Sequence, residues 1–506
     1  MAAKTAKSSP KQGRAFNPHI LILMMDTQGA RNMSCYGYRR KTTPHIDRVA
    51  KQGALFLNHF TTAPWTYPAH ASLFTGRYES GHGCGAQHEA LEPGLPSMPE
   101  ILTRHGYRTV AFSNNSFAVS NFHGNPGVGF QELYRYSDTM PSHLGPGEKI
   151  LDAVEPYIPP DDPDLRDKGA FKVTGLARKW IEDNVLDPAA KRKAAPFFMF
   201  INYMEPHDPY TPPEPFRSQF LDPTFDYARA QKRRGGQFPT SFGEDPLSLE
   251  EFQAQRDLYD GSTACLDHRI GLLVGELEKM GILDDTLLMI TGDHGDALGE
   301  QPQYAFHAQH GLVDHVLKTP LIVRCPKAFK PGTRCKAFAQ INDIFPTVLD
   351  LLGLDEPEAR ASIQGESLFD AIRGTGREFA LCEAQRPVHS LRSAWWNDPE
   401  CDVRWCNQHL KAARGKRYKY LWSSIGADML FDIVKDPDER FNLIQRRPDI
   451  ARRMFRQLEK KLLSFEQRCF PDTWSFRKYD RNLARRMEAW GLFQPMAGTE
   501  WATAKK

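Results

Sequence analysis

The feature that most constrains the fold is a recurring order of apolar runs followed by polar residues. The run "HILILMMD" at 19–26 is continuously apolar and ends in a carboxylate, and the segments at 197–208 and 286–296 repeat this order. Continuous apolar runs of this length are typical of strands buried on both faces of a sheet. Helix-like segments lie between the runs. Strands that alternate with helices predict an α/β fold with a mostly parallel central sheet flanked by helices.

Two segments illustrate the helical pattern. The segment "TPHIDRVAKQGALF" at 43–56 predicts an amphipathic helix, and "PSMPEILTRHGYRTVAFSN" at 96–114 predicts a helix, a stop at Gly106 and then a strand. The first helix is expected to place its apolar stripe at Ile46, Val49, Ala50 and Leu55.

Residue composition and hydrophobic pattern divide the chain into four parts. Residues 1–16 are expected to be a disordered leader, and 17–375 the catalytic domain. Short strands and turns followed by the amphipathic run "DIARRMFRQLEKKLLSF" predict a smaller C-terminal α+β subdomain over 376–470. Residues 471–506 are expected to form a tail that packs on the body or on a second subunit, which suggests a homo-oligomer.

Composition excludes several classes of protein. The 506 residues carry 65 basic and 62 acidic side chains, so the net charge of +3 gives no reason to expect a nucleic-acid partner. No run approaches the roughly 18 apolar residues of a membrane helix, and the basic N-terminus lacks the apolar run of a secretory signal. The nine cysteines are scattered and form no CxxC pair. We therefore expect a cytoplasmic protein without a membrane partner.

The ends of the apolar runs suggest where the site lies. They terminate at Asp26, at Asn114, near His207 and at Asp293 with His294. In open α/β sheets, ligands bind at the carboxyl edge of the strands. A small-molecule ligand at this edge is therefore expected.

The residue types at this edge favour a divalent cation. Asp26, Asp293 and His294 offer two hard oxygen ligands and an imidazole, and Gly295 lets the "DHGD" turn bend tightly. A metal on the Thr66 hydroxyl would lower its pKa and hold it for attack. The helix that begins after Thr66 could cradle an oxyanion with its free N–H groups. Alternatively, Thr66 is the N-cap of that helix, and the two roles are compatible.

Several sequence blocks resemble one family. "ILMMDTQGARNMSCYGYRRKTTPHIDRVAKQGALFLNHFTTAPWTYPAHASLFTGRY", "FINYMEPHDPYTPPEPF" and "LLMITGDHGDALGE" are similar to the alkaline phosphatase superfamily, sulfatase-like branch, and the resemblance extends over roughly 17–470. It implies metal positions at Asp26, Thr66, Asp293 and His294, with Thr66 also the nucleophile. It implies that His207 and His310 hold the ester group or protonate the leaving oxygen.

Departures from the family pattern point to a change of substrate. Thr66 replaces the cysteine or serine that sulfatases convert to formylglycine, and threonine cannot be converted. Asn114 and Ser116 replace a sulfate-gripping lysine and histidine, His70 stands at the arginine position, and His294 replaces an asparagine. The branches that use threonine in this way act on phosphorus esters.

The sequence therefore predicts a metal-dependent hydrolase of a phosphate or phosphonate ester that works through a phospho-threonine. The alternatives are a sulfate-ester hydrolase with an unmodified hydroxyl nucleophile, a phospho-group transferase, and a non-catalytic binding module. One divalent ion is expected, and Mn²⁺, Zn²⁺, Mg²⁺ and Ca²⁺ are not distinguished by ligands this mixed. A second site could assemble from His207, Asp208, His307 and His310.

The roles of the remaining histidines stay open at this point. His70, one turn after Thr66, either orients a phosphoryl oxygen or holds the loop, whereas His82 is read as a turn residue. If their segment is helical, His310 and Asp314 could form an acid and its orienting carboxylate. The resemblance favours His310 over His307. The insertions at 141–170 and 221–250 are expected to shape the leaving-group pocket.

Overall fold

A computed structural model of the chain describes most of the residues. The described residues are 16–88, 91, 94–115, 118, 128–135, 148–150, 167–185, 195–231, 247–301, 304–307, 309, 311–388, 390–391, 394 and 402–468. The predicted tail, most of the predicted leader and much of both insertions lie outside this part of the chain.

The described core is built on a nine-stranded sheet in the order β11-β2-β10-β7-β1-β6-β3-β4-β5. All neighbouring pairs in it are parallel except those made by β10, which runs antiparallel to both β2 and β7. The strands are β1 (His19–Met25), β2 (Ala54–Phe60), β3 (Arg108–Ser113), β4 (Glu132–Arg135), β5 (Glu148–Ile150), β6 (Phe197–Tyr203), β7 (Thr286–Gly292), β10 (Leu321–Arg324) and β11 (Thr333–Gln340). A separate hairpin pairs β8 (Ala297–Gln301) with β9 (Tyr304–Phe306).

Helices cover both faces of the large sheet. The α-helices among the described residues are α1 (Pro44–Gln52), α2 (Thr66–Thr75), α3 (Glu79–His82), α4 (Met98–Arg104), α5 (Ala170–Val185), α6 (Tyr227–Gln231), α7 (Leu249–Lys279), α8 (Asp314–Leu317), α9 (Ile344–Leu352), α10 (Pro357–Ser362), α11 (Leu368–Arg373) and α12 (Pro448–Leu462). One apolar core contains residues of α2, α4, α9 and α11, and the other contains residues of α1, α5 and α7.

Strand β1 shows why the apolar runs are continuous. Ile20 and Ile22 pack into the first core, whereas Leu21 and Leu23 pack into the second. Successive side chains of a strand point to opposite faces, so a strand covered on both sides needs apolar residues at every position. The predicted α/β fold with a mostly parallel, helix-flanked sheet is confirmed.

The first predicted helix ends earlier than its apolar pattern suggested. Helix α1 stops at Gln52, and Leu55, which the pattern assigned to the helix, belongs to β2. Gly53 makes the change of direction possible, because a Cβ there would lie 2.4 Å from the carbonyl oxygen of Val323 on β10. The chain therefore leaves the helix where it must pass close to the sheet.

A four-stranded antiparallel sheet follows the large one. It comprises β12 (Ala380–Ala384), β13 (Leu410–Arg414), β14 (Tyr418–Ser423) and β15 (Met429–Asp432), in that order. Helix α12 packs on it through Met454 and Leu458. Its other face shares an apolar cluster with Phe60 and Phe338 of the large sheet. This confirms the predicted C-terminal α+β subdomain. No helix in the described part of the chain has the length and apolar character needed to span a membrane.

Candidate active site

The predicted site residues lie at one edge of the large sheet. Asp26 follows β1, Asp293 follows β7, and His207 lies in the loop that follows β6. Strands β1, β6 and β7 are mutually parallel, so their carboxyl ends meet. Thr66 reaches the same edge because β2, which precedes it, runs parallel to β7. Parallel α/β sheets bind their ligands at this edge.

The carboxylates of Asp26 and Asp293 and the imidazole of His294 form a completely buried cluster. One ligand atom of each residue lies within 4.8 Å of the others. Nε2 of His294 is 3.5 Å from Oδ2 of Asp293 and 3.8 Å from Oδ1 of Asp26. The hydroxyl of Thr66 is 3.3 Å from the same nitrogen. Four candidate ligand atoms thus converge on one point.

The hydrogen bonds of this cluster leave its inward-facing atoms available for a cation. Asp26 accepts a bond through Oδ2, and Asp293 accepts two through Oδ1. Their buried partners, Oδ1 of Asp26 and Oδ2 of Asp293, accept none from any described residue. Buried carboxylate oxygens normally have a donor or a cation. The residues therefore fit a divalent metal.

The tautomer of His294 also suits a ligand. Its Nδ1 lies 3.1 Å from the carbonyl oxygen of Gly295, which can only accept, so the ring proton sits on Nδ1. Burial, followed by the nearby His307, lowers the pKa of His294 to about 4 and keeps the ring neutral. Nε2 therefore carries a lone pair toward Asp26 and Asp293. The side chain is fully buried rather than facing solvent.

A strained backbone segment positions Asp293. Thr27 adopts a φ of 59°, which β-branched residues rarely do, and its N–H donates to Oδ1 of Asp293 at 3.0 Å. Tyr259 on α7 makes two hydrogen bonds to this segment through its hydroxyl. Its hydroxyl donates to the carbonyl oxygen of Thr27 at 2.6 Å and accepts from the N–H of Gly29 at 2.9 Å. Strain of this kind persists only where the surroundings impose it.

Asn114, the residue predicted for the site after β3, does not contact the cluster, but its neighbour Asn115 does. Asn115 donates from Nδ2 to Oδ2 of Asp26 at 2.5 Å. Nδ2 of Asn114 instead donates to the carbonyl oxygen of Lys168 at 2.8 Å. Asn115 is therefore a residue of the site that the sequence did not reveal.

Thr66 is the first residue of α2 and does not cap it. The N-cap is Trp65, and no side chain there bonds the helix N–H groups. The capping role considered for Thr66 is therefore not the one observed. Its hydroxyl lies 3.3 Å from Nε2 of His294 instead.

His70 is engaged with the protein through both ring nitrogens. Nδ1 lies 2.7 Å from the carbonyl oxygen of Thr66, and Nε2 lies 3.2 Å from the side-chain amide of Asn202. Burial lowers the pKa of His70 to about 4, so the ring is neutral and carries one proton. That proton, on Nδ1, is donated to the carbonyl oxygen of Thr66. Nε2 then accepts from the Asn202 amide, whose nitrogen and oxygen are interchangeable in assignment. This arrangement favours the loop-holding role over contact with substrate.

Burial changes the protonation of the metal-free carboxyl groups. It raises the pKa of Asp293 to about 7. Burial, reinforced by the charge of Asp293, raises the pKa of Asp26 to about 7 as well. Two buried carboxyl groups at one point resist ionisation without a counter-charge. A cation would supply that charge.

A second group of ligand-type residues adjoins the first. His207, Asp208 and His307 offer ligand atoms within 4.8 Å of one another. The ring centroid of His307 is 4.7 Å from that of His207 and 4.5 Å from that of His294. The predicted site residue His310 lies outside the described residues. The structure thus brings Asp26, Thr66, His207, Asp293 and His294 together at one edge of the sheet.

Comparisons with known proteins agree with this architecture. The family model described as Sulfatase matches residues 18–354, which is more than half of the chain. The chain belongs to the sulfatase family. A second family model, described as N-sulphoglucosamine sulphohydrolase, C-terminal, matches residues 303–468 of this sulfatase-family protein. The resemblance to the sulfatase-like branch of the alkaline phosphatase superfamily is confirmed.

Individual relatives of this sulfatase-family chain are distant. An ulvan-active sulfatase of Formosa agariphila is 24% identical over 87% of this chain and 79% of its own. The crystal structure of a phosphonate monoester hydrolase of Agrobacterium radiobacter has a TM-score of 0.67 at 21% identity, covering 88% and 96% of the two chains. A structure solved with D-glucosamine-2-N,6-O-disulfate has a TM-score of 0.66 at 19% identity, covering 90% and 100%. The protein is an ester-bond hydrolase of this family, whose superfamily uses a divalent metal.

Proposed function

We propose that this protein hydrolyses a phosphate or phosphonate ester with Thr66 as the nucleophile and a divalent metal as cofactor. The observation that carries the proposal is the position of the Thr66 hydroxyl, 3.3 Å from Nε2 of His294 and beside two buried carboxylates. A sulfatase of the formylglycine type needs cysteine or serine at this point. A threonine there supports direct attack by the hydroxyl.

The metal would be held by Asp26, Asp293, His294 and Thr66. When bound, it would lower the pKa of the Thr66 hydroxyl and neutralise charge on the phosphoryl oxygens. The bond-making steps are carried out by Thr66 and by water. The Thr66 oxygen forms a bond to phosphorus as the bond between phosphorus and the leaving oxygen breaks. Water then hydrolyses the phospho-threonine and restores the hydroxyl.

The surrounding residues supply orientation and proton transfer. Asn115 and the Thr27 N–H fix the carboxylates, and His70 fixes the backbone of Thr66 through its carbonyl oxygen. The backbone N–H of Thr66, at the start of α2, would bind an oxygen of the phosphoryl group. We assign protonation of the leaving oxygen to His207 or His310, as the family resemblance implies.

A second candidate is hydrolysis of a sulfate ester by the same unmodified hydroxyl. It is supported by the relatives, several of which are named as sulfatases, among them a choline-sulfatase of Rhizobium meliloti at 24% identity over 85% of this chain and 82% of its own. A matched panel of aryl phosphate, phosphonate and sulfate esters with one leaving group separates the two. We expect the highest kcat/KM for a phosphorus ester. A clear preference for the sulfate would contradict the proposal.

Chemical quenching during turnover tests the covalent step. Mass spectrometry of the peptide containing Thr66 is expected to show the mass of one added phosphoryl group. The same peptide from protein quenched without substrate is the control. Modification of another residue, or none under rapid quenching, would contradict a phospho-threonine.

A further inference from the structure

We propose that a cavity between the large sheet and the C-terminal subdomain binds a small anion that carries more than one phosphate group. The cavity has a volume of about 840 Å³, and its lining includes residues of β11, of the turn between β13 and β14, and of α12. None of its lining residues belongs to the candidate active site. The proposal is therefore independent of the reaction at the carboxyl edge of the sheet.

The lining of this cavity is strongly basic, although the chain as a whole is almost neutral. The full sequence has 65 basic and 62 acidic side chains. Five basic residues and one acidic residue line the cavity: Lys336, Arg377, Lys416, Arg417 and Arg453 against Glu378. A concave surface with charges of one sign concentrates counter-ions. The cavity is therefore expected to attract anions.

Three of the five cations have no carboxylate partner in the described part of the chain. Lys336, Lys416 and Arg453 form no ion pair there, and each of them is exposed. Arg417 differs, because its guanidinium pairs with Asp432 at 2.9 Å. Three positive charges are thus available to a ligand.

These three cations reach the cavity from separate elements. Lys336 lies on β11 of the large sheet, Lys416 in the turn between β13 and β14, and Arg453 on α12. Met454, the neighbour of Arg453, also lines the cavity and belongs to the apolar cluster that joins α12 to the C-terminal sheet. An anion that contacts all three cations would connect the large sheet to the C-terminal subdomain.

Arg377 contributes a buried guanidinium to the cavity wall. Its side chain is 6% exposed, and it donates to Gln340 at 2.7 Å and to Asp343. Its Nε donates to no described residue, and the nearby carboxylate oxygen of Glu366 is 3.8 Å away, beyond hydrogen-bond distance. Buried N–H groups normally have an acceptor. The wall therefore combines a fixed positive charge with a donor that the described residues leave unused.

The shape and chemistry of the cavity indicate the class of ligand. Ligand pockets typically have volumes of about 300–1,000 Å³, so a small molecule fits better here than a flat macromolecular surface. Lysine and arginine bind phosphate oxygens through charge-assisted hydrogen bonds. Three unpaired cations suit an anion with several charges, and pyrophosphate is the simplest probe of this class.

Isothermal titration calorimetry with pyrophosphate tests the site in full-length protein without added divalent metal. We expect binding in the wild type and in Asp293→Asn, whose alteration lies at the catalytic edge. The double variant Lys416→Gln/Arg453→Gln is expected to bind at least about tenfold more weakly, because two charge-assisted contacts are lost. The matched control is Arg48→Gln/Lys51→Gln, which removes two exposed cations of α1 and is expected to bind like the wild type.

Each outcome either supports the cavity or overturns it. No heat of binding in the wild type, or equal affinity in Lys416→Gln/Arg453→Gln, would overturn the proposal. Loss of binding in Asp293→Asn alone would assign the anion to the catalytic edge. Circular dichroism establishes that the variants are folded. Pyrophosphate is also expected to raise the melting temperature of the wild type but not of Lys416→Gln/Arg453→Gln, because a ligand of the folded state stabilises it.

Discussion

The hydroxyl of Thr66 lies 3.3 Å from Nε2 of His294, although 228 residues separate them in the chain. Two parallel strands bring them together, because Thr66 follows β2 and His294 follows β7. The contact places the proposed nucleophile beside the oxygens of Asp26 and Asp293 that accept no hydrogen bond from any described residue.

Removal of the Thr66 hydroxyl is expected to abolish turnover. We expect Thr66→Ala to lower kcat on the order of 10³-fold or more, since loss of a covalent nucleophile can cost still more. Thr66→Ser keeps the hydroxyl and is the matched control, with kcat expected within about tenfold of the wild type. Steady-state kinetics on the best phosphorus ester measures both. Full activity of Thr66→Ala would refute the mechanism.

Asp293 and His294 are expected to act as a pair. His294→Ala or Asp293→Asn should lower kcat on the order of 10³-fold, because loss of even one charge-stabilising group costs about 10²–10³-fold. Metal content should fall with the rate. His59→Ala removes another buried histidine, whose Nδ1 bonds Thr319, and should lose stability but keep its metal. Retained metal with near-normal turnover in His294→Ala would disprove the assignment.

Metal affinity is expected to fall as the pH falls below about 7. In the metal-free protein the pKa values of Asp26 and Asp293 are both about 7, so each carboxyl must lose a proton before it binds. The metal affinity has its full value above this pKa and falls below it. Between pH 8 and pH 6 the expected loss of affinity is about tenfold for each carboxyl group. His294, with a pKa of about 4, is already neutral there. Isothermal titration calorimetry at both pH values measures the effect, and equal affinities would contradict it.

Tyr259 is expected to affect metal binding without being a ligand. Tyr259→Phe leaves the Thr27 carbonyl and the Gly29 N–H without their partner, at a cost of about 1–3 kcal/mol in the free energy of unfolding. Relaxation of Thr27 should then misplace Asp293 and weaken the metal affinity. Tyr107→Phe also loses a bond to a backbone carbonyl, that of Pro18, but at the opposite edge of the sheet. Tyr107→Phe should lower the stability without changing the metal affinity. An equal loss of metal affinity in both variants would exclude a positioning role for Tyr259.

Lys419 is expected to be essential for stability. Its fully buried ammonium lies 3.0 Å from Asp314 and 2.8 Å from Glu439. Lys419→Met leaves two buried carboxylates with too little counter-charge, at an expected cost of about 3–5 kcal/mol in the free energy of unfolding. Arg404→Met, which breaks the exposed pair with Asp402, should have little effect on the free energy of unfolding. Urea denaturation compares them, and similar losses would contradict the expectation.

The parts of the site that the sequence predicted share one property. Asp26, Asp293 and His294 directly follow apolar strands, and the end of a buried strand can be recognised from local composition. Parallel pairing then places such ends together. The helix–glycine–strand unit at 96–114 was equally visible in the local pattern, because Gly106 falls between helix α4 and strand β3.

The residues that the sequence missed depend on geometry that local patterns do not encode. Asn114 and Asn115 are adjacent in the irregular segment after β3, and their side chains bond different partners, Lys168 and Asp26, so an error of one position selects the wrong contact. Asp296, which lies 2.7 Å from Nδ1 of His307, accepts a hydrogen bond from Tyr210, and these two residues are 86 positions apart and share no motif. The early end of α1 likewise depends on the approach of Gly53 to β10, which no local pattern reveals.

The ion cluster around Asp314 has a consequence for the order in which the chain matures. Although burial alone would raise it, the charges of Lys419 and Arg414 hold the pKa of Asp314 well below its ordinary value. Those charges lie on β13 and β14, about a hundred residues later in synthesis than Asp314. Asp314 begins the short helix that leads into β10, the reversed strand. The segment between β9 and β10, with His307, is therefore expected to settle only after the C-terminal subdomain has left the ribosome, which makes assembly of the metal-binding edge a late event in biogenesis.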